Sequence, residues 1–281
     1  MSVGLDYVAR KKANLVLIEI VLAISSLVMI FPFLWMILTA LKSDAEIYRI
    51  PLKVLPDKLY LDNLKELIND SKFLRYYLNS TIVAAVGTII STFSSLAAGF
   101  VFAKFRFPLK NLMFMVILAT LMVPFQCYII PLYVFSVKLK LIDTYTGLIF
   151  PIVISSFGIF FIRQNMQAIP NEMIEAAKID GASLWLTFFK IIMPLSASSA
   201  VALAIFQFMT AWGDFIWPLV ITNSQSMFVL ELGLTRFRGQ FVDDYGLMMS
   251  GAALGIIPVI LVFLFFRRYI IEGTTLSGIK A

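Results

Sequence analysis

Across 281 residues the chain is 60% hydrophobic and only 14% charged, whereas a soluble globule carries about 25% charged residues; composition therefore excludes a water-soluble fold and points to an integral membrane protein. Histidine is absent and the single cysteine, Cys127, stands in an apolar run, which removes the commonest general base and metal ligand and rules out an intramolecular disulfide. The net charge of +6 suits a chain beside anionic lipid headgroups, and no lysine and arginine cluster is dense enough to read as a nucleic-acid interface.

Taken in order, the chain alternates apolar runs with short polar connections. Residues 1–14 are polar, with Arg10, Lys11 and Lys12 just before the first run. The run from Leu15 to Leu41 far exceeds the roughly 7–15 residue core of a signal peptide, so it reads as an uncleaved span bent at Pro32. Glu19 lies about one turn inside, where a lone acid can snorkel or pair at the interface. Residues 42–77 are amphipathic, with turns at Pro51 and Pro56, and read as a solvated cap.

The second span, Leu78 to Ala103, carries Gly87, Ser91, Ser95 and Gly99 at intervals of four, a flat face for close helix packing. A short basic loop, Lys104 to Lys110, follows and has the character of a cytoplasmic connection. The third span, Asn111 to Phe135, contains Pro124 and Pro131, so its helix is expected to bend or break. Such breaks survive in lipid only against protein or a water-filled cavity. Gln126 is therefore a candidate cavity residue, although a kink satisfied by neighbouring helices fits the same residues.

A fourth span, Thr144 to Ile162, contains Pro151, and a polar island, Gln164 to Pro194, separates it from the fifth, Leu195 to Ile221. That fifth span ends in AWGDFIWPLV. Its tryptophans fit an interface belt or a sugar-stacking platform; the belt is the better reading for Trp217, while Trp212 and Asp214 are candidates for the translocation path. After the polar stretch from Thr222 to Tyr245 comes a sixth span, Gly246 to Phe266, stopped by Arg267 and Arg268 and followed by a tail to Ala281. The outcome is an all-α integral membrane protein with six transmembrane helices and both termini on one face.

The island carries the most information. Asn171 after Pro170 is placed to cap a helix whose first turns hold Glu172 and Glu175, and Gly181 can stop it in the left-handed conformation. A second helix is expected from Ser183 to Pro194, where the ring removes a donor and the chain turns back into lipid.

The order Glu175-Ala176-Ala177, three residues, Gly181, nine residues, Ile191, one residue, Met193, Pro194 resembles the cytoplasmic EAA signature of permease subunits in binding-protein-dependent ABC importers, with Met193 where the family usually has Leu. The segments LKSDAEIY and FLRYYLNS and the ending RYIIEGTTLSGIKA likewise resemble MalG-like permeases of carbohydrate importers. The resemblance implies a MetI-like fold, a permease domain over 78–268 with a cytoplasmic tail at 269–281, and ATPase coupling through Glu175, Ala176, Ala177, Asp180, Gly181 and Pro194. The paired alanines would let a partner approach the backbone, and Glu175 would offer it a charge.

It further implies a prokaryotic inner-membrane location, a second, MalF-like permease, two ABC ATPase subunits that use ATP and Mg, a solute-binding protein and a sugar substrate. The chain itself has no glycine-rich phosphate loop, and no catalytic or metal-binding residues are expected. The same machinery could carry glycerol phosphate or another polyol. A membrane-embedded transferase would need clustered acids or a nucleophile, and only the isolated Glu19 and Asp214 are offered.

Overall fold

The computed structural model describes residues 2–238 and 244–275, with side chains from Asn14 to Arg238 and from Asp244 to Tyr269. Residues 239–243, within the polar stretch from Thr222 to Tyr245, and residues 276–281 of the tail lie outside the described residues. The chain divides into two units, one of residues up to Asn69 with Phe237–Leu254, the other of Asp70–Arg236 with Gly255 onward.

In the first unit α1 (Ser2–Ala40) runs helical through both the basic leader and the apolar run, with Pro32 inside. The following residues form a folded cap. Here α2 (Asp44–Ile47) and α3 (Asp62–Asn69) bracket an irregular stretch. The buried Asn63 amide donates to Lys42 O at 2.9 Å and Ala40 O at 3.3 Å, which satisfies carbonyls left open at the end of α1. Lys42 is itself buried and donates to Lys53 O at 2.5 Å.

The second unit is built on α4 (Ser71–Lys104). This helix starts earlier than the apolar run because the Asp70 carboxylate accepts the Lys72 N–H at 2.8 Å and caps it. The added first turns bury Phe73 and Tyr76. Packed along α4 are α8 (Ser156–Gln167) and α12 (Ala197–Trp212). The small-residue face works as expected: Ser91 and Ser95 are fully buried, and a Cβ placed on Gly99 would stand 2.5 Å from Ile162 Cγ2. Because lipid is as apolar as leucine, such pairing draws on van der Waals contact at short range.

Three further spans are broken. α5 (Lys110–Thr120) and α6 (Phe125–Lys138) meet at 100° across residues 121–124. A short helix, α7 (Tyr145–Ile149), with a 3-10 turn to Ile152, meets α8 at 46°. The helical segment Leu184–Leu195 meets α12 at 77°. Counting each bent pair as one span, these and the long helices over Asn14–Ala40, Ser71–Lys104 and Tyr245–Tyr269 make up to six candidate spans among the described residues.

The fifth span is shorter than its apolar run, ending at Trp212; Gly213 to Phe215 break it, and α13 (Ile216–Ile221) is a separate piece. Beyond come α14 (Leu230–Leu234) and α15 (Tyr245–Thr275), which carries helix past Phe266 into the tail. Among the apolar clusters that hold the second unit, two pack the spans together. One joins Val83, Leu148, Trp217, Ile221 and Leu232; the other joins Leu96, Phe100, Ile162, Phe188, Ile192 and Leu203.

Candidate functional site

Between α8 and α12 the polar island forms an elbow of α9 (Glu172–Ile179), α10 (Leu184–Thr187) and α11 (Met193–Leu195). Asn171 does not cap α9. It is itself helical and makes no capping bond; its Oδ1 instead accepts Lys104 Nζ at 3.0 Å, and the same ammonium donates to Ile169 O. The end of α4 thereby holds the linker that precedes α9. At the other end the sequence expectation and the structure agree. Gly181 has φ of 77°, Gly181 N–H bonds Lys178 O at 3.1 Å, and Ala182 N–H bonds Ala177 O at 2.9 Å. This is the Schellman pattern, for which glycine carries no Cβ penalty.

The two alanines face different ways. Ala177 is buried at 6% exposure against the chain's own core, whereas Ala176 is exposed, so only one of them can meet an outside surface. Glu172, Glu175, Ala176 and Ile179 share the outward face at i, i+3, i+4, i+7, and all four are exposed. Ile179, at 86% exposure, was not singled out from sequence; an isoleucine beside Asp180 at a helix end is the signal that could have found it. Asp180 closes α9 and is exposed.

Ser183 caps α10, accepting the Leu186 N–H at 3.3 Å. The helix then widens to a π turn over Phe188–Ile192 and continues through Pro194 into α11. Pro194 therefore does not end it. Its missing N–H leaves one carbonyl of the preceding turn unpaired, the helix loosens by one residue there, and the turn toward α12 comes at Ser196.

Away from the elbow, the interruptions at residues 153–155 and 213–215, together with the first residues of α6 after the break at 121–124, contribute to one cavity of about 480 Å³. Its polar lining comprises Gln126 at the start of α6, Ser155 before α8, Gln207 and Thr210 on α12, and Asp214. Ser155 Oγ accepts the Gly158 N–H at 3.0 Å, which fixes the start of α8. The Asp214 carboxylate stands at the break itself, beside the backbone N–H groups that open α13. Apolar walls come from Phe125, Ile152 and Trp217. Lys and Arg are absent from the lining.

Both tryptophan assignments change. Trp217 is fully buried and donates Nε1–H to Gly147 O at 2.9 Å; it is a wall of the cavity with a satisfied N–H rather than an interface-belt residue. Trp212 is 4% exposed, donates to Gly255 O at 2.9 Å and stacks on Phe208 at 5.8 Å. It packs helices together and does not line the cavity. Gln207 and Thr210, missed in the sequence, were detectable: with Ala211 and Asp214 they stand at i, i+3, i+4, i+7 at the end of an apolar run that starts at Ala200.

At the α6–α7 turn, Asp143 has φ of 60° and accepts the backbone N–H groups of Asn223 and Ser224 at 3.1 and 3.0 Å. Burial opposes its ionisation, but the donors from Ser224 and Asn223 outweigh burial and hold the carboxyl below its ordinary range. Among the described residues no group of His, Cys, Asp or Glu side chains could hold a metal ion.

A family model described as binding-protein-dependent transport system inner membrane component matches residues 92–273. The chain is 33% identical over 94% of its length, and 96% of the relative's, to the arabinooligosaccharides transport system permease protein AraQ of Halalkalibacterium halodurans. It is 30% identical, over 91% of its length and 94% of the relative's, to the sn-glycerol-3-phosphate transport system permease protein UgpE of Yersinia pestis. The fold is similar, with a TM-score of 0.80 at 19% identity and coverage of 90% and 95%, to a chain of a bacterial ABC transporter involved in the import of the acidic polysaccharide alginate.

Proposed function

The chain belongs to the binding-protein-dependent transport system inner membrane components, and from that membership we propose that it is one permease half of an ATP-driven importer for a neutral sugar or oligosaccharide. The observation that carries the substrate reading is the cavity where three broken spans converge. Two amides, two hydroxyls and a carboxylate line it beside apolar walls, with no cation among the lining residues. Amides, hydroxyls and a carboxylate match the hydroxyl groups of a sugar, and Phe125 and Ile152 supply apolar surface for a ring face. A phosphate ester would call for Arg or Lys at hydrogen-bonding distance, which disfavours glycerol phosphate although UgpE is a relative.

In this reading a second, MalF-like permease supplies the other half of the path, and an extracytoplasmic solute-binding protein delivers the sugar. Both termini and the elbow face the cytoplasm. Two ABC ATPase subunits grip the exposed face of α9 around Glu175, Ala176, Asp180 and Gly181. ATP and Mg act on those subunits; this chain transmits their motion by alternating access.

The elbow is built for such transmission. It is continuous with α12 through Ser196, and α12 carries Gln207 and Thr210 into the cavity, so a pull on α9 reaches the residues proposed to hold substrate.

The test is ATP-driven uptake by the complete complex in proteoliposomes. Gln207→Leu is expected to lower uptake of a neutral oligosaccharide at least tenfold while leaving ATPase stimulation by the binding protein in place, because one lost polar contact with a buried sugar hydroxyl is worth about 1–3 kcal/mol. A wild-type complex that carried glycerol 3-phosphate and no neutral sugar would overturn the substrate reading.

A further inference from the structure

The loop from α4 to α5 gathers positive charge that the fold does not answer. Lys104 is engaged by the linker before α9, but its neighbours are not matched with acids. Lys110 Nζ donates to Phe105 O at 2.7 Å, and the charged groups acting on it are the guanidiniums of Arg163 and Arg106. Arg163, on α8, donates Nε–H to Phe102 O at 3.2 Å and lies 3.9 Å over the Phe114 ring. Among the described residues no carboxylate forms an ion pair with Arg106, Lys110 or Arg163. Two like charges within reach of the Lys110 ammonium repel it. Backbone carbonyls and an aromatic ring fix Lys110 and Arg163 in place regardless, and an arrangement of this kind is completed by an anion.

The surroundings say which anion. Beside the cluster opens a depression of about 410 Å³ lined by Arg106, Phe107, Leu109, Lys110, Asn111 and Leu112. Leu109, at φ of 60°, turns the chain so that α5 begins at Lys110, and from there the helix enters an apolar run, so its first turn marks the boundary between water and hydrocarbon. Leu109 is 68% exposed, and Leu112 and Met113 are both 51% exposed. A free anion would leave these apolar groups bare. An anion carrying acyl chains would cover them.

We propose that this pocket binds the headgroup phosphate of an anionic phospholipid, clasped by Arg106 and Lys110 with the charge of Arg163 behind them, and with a chain laid over Leu109, Leu112 and Met113. The bound lipid ties α5 to α8 just before the elbow. The proposal needs only that the chain is membrane-embedded; it is independent of the substrate and of which face the elbow occupies.

The test uses the full chain purified with its partner permease, delipidated, and titrated with dioleoylphosphatidylglycerol, dioleoylphosphatidylcholine or inorganic phosphate, with bound lipid counted by native mass spectrometry. The wild type is expected to prefer phosphatidylglycerol to phosphatidylcholine about tenfold or more. Arg106→Gln, at an exposed side chain, should weaken phosphatidylglycerol about fivefold, and Arg106→Gln with Lys110→Gln about thirtyfold, as two surface charges near a membrane each contribute about that much. Arg106→Lys should restore most of the loss, which separates charge from folding. Equal binding of the two lipids, retention of the preference by the double variant, or displacement of phosphatidylglycerol by inorganic phosphate as effectively as by the lipid itself would each overturn it.

Discussion

Gly99→Ala tests how closely α4 and α8 must approach. The added Cβ would stand 2.5 Å from Ile162 Cγ2, 2.9 Å from Ile162 Cβ and 3.1 Å from the Arg163 backbone nitrogen. Carbon atoms rest at about 3.5–4.0 Å, so the shortfall is about 1 Å or more. Ile162 is fully buried, and a β-branched side chain in a helix has one strongly preferred rotamer. The neighbour therefore has no easy retreat, and α8 must shift. Overpacking of this kind costs roughly 1–3 kcal/mol.

The assay is reversible unfolding of the purified chain with its partner permease in mixed micelles, read by near-ultraviolet circular dichroism. Gly87→Ala is the control, since its Cβ would meet Ile152 no closer than 3.3 Å, and it should lose less than half as much stability. Ile162→Ala alone should cost about 2–5 kcal/mol for the cavity it leaves. Combined with Gly99→Ala, the pair should lose less than the sum, because truncating Ile162 removes Cγ2, the atom nearest the new methyl. Strict additivity of the two substitutions would falsify the close-approach argument.

Two further outcomes are expected. Gly181→Val should lower ATP-driven uptake far more than Gly181→Asn, because a Cβ there meets no atom within 4 Å and the whole penalty comes from φ of 77°, about 1–2 kcal/mol for most residues and less for asparagine; equal uptake by the two variants would remove the Schellman turn from the coupling argument. At the α6–α7 turn the Asp143 carboxyl titrates below its ordinary value of 3.8, so its contribution to stability is fully present above that pH and fades as pH falls through the lower folded-state value. Wild type minus Asp143→Ala should therefore stay constant from pH 7 to about 5 and shrink below about 4; a difference that instead shrank between pH 7 and 5 would contradict the hydrogen-bonded clamp.

Much of the architecture was legible because lipid imposes simple rules. Apolar runs must be helical, since an unpaired backbone group has no water to turn to; Pro124 announced the break where α6 begins, while Pro131 of the same expectation sits inside α6, and the small residues four apart on α4 announced the tight face. The EAA spacing led to the elbow, and Gly181 to its turn. The tryptophans were misjudged for an equally plain reason. An indole suits an interface belt or a buried wall equally well, and what separates them is whether a carbonyl waits for its N–H. Gly147 and Gly255 provide that carbonyl, each more than forty positions away along the chain.

The amino-acid order by itself determined that this chain lives in a membrane, how many apolar runs it has and where its polar elbow projects, because each of those follows from local chemistry over one or two helical turns. Tertiary structure decided which side chains face one another: that Lys104 rather than a cap engages Asn171, that Ala177 turns inward while Ala176 stays out, that Gln207, Thr210, Asp214 and Gln126 share one cavity, and that Arg163 joins Arg106 and Lys110. These juxtapositions depend on how the helices cross, and helix crossing is set by the summed contacts of many residues rather than by any short stretch of sequence.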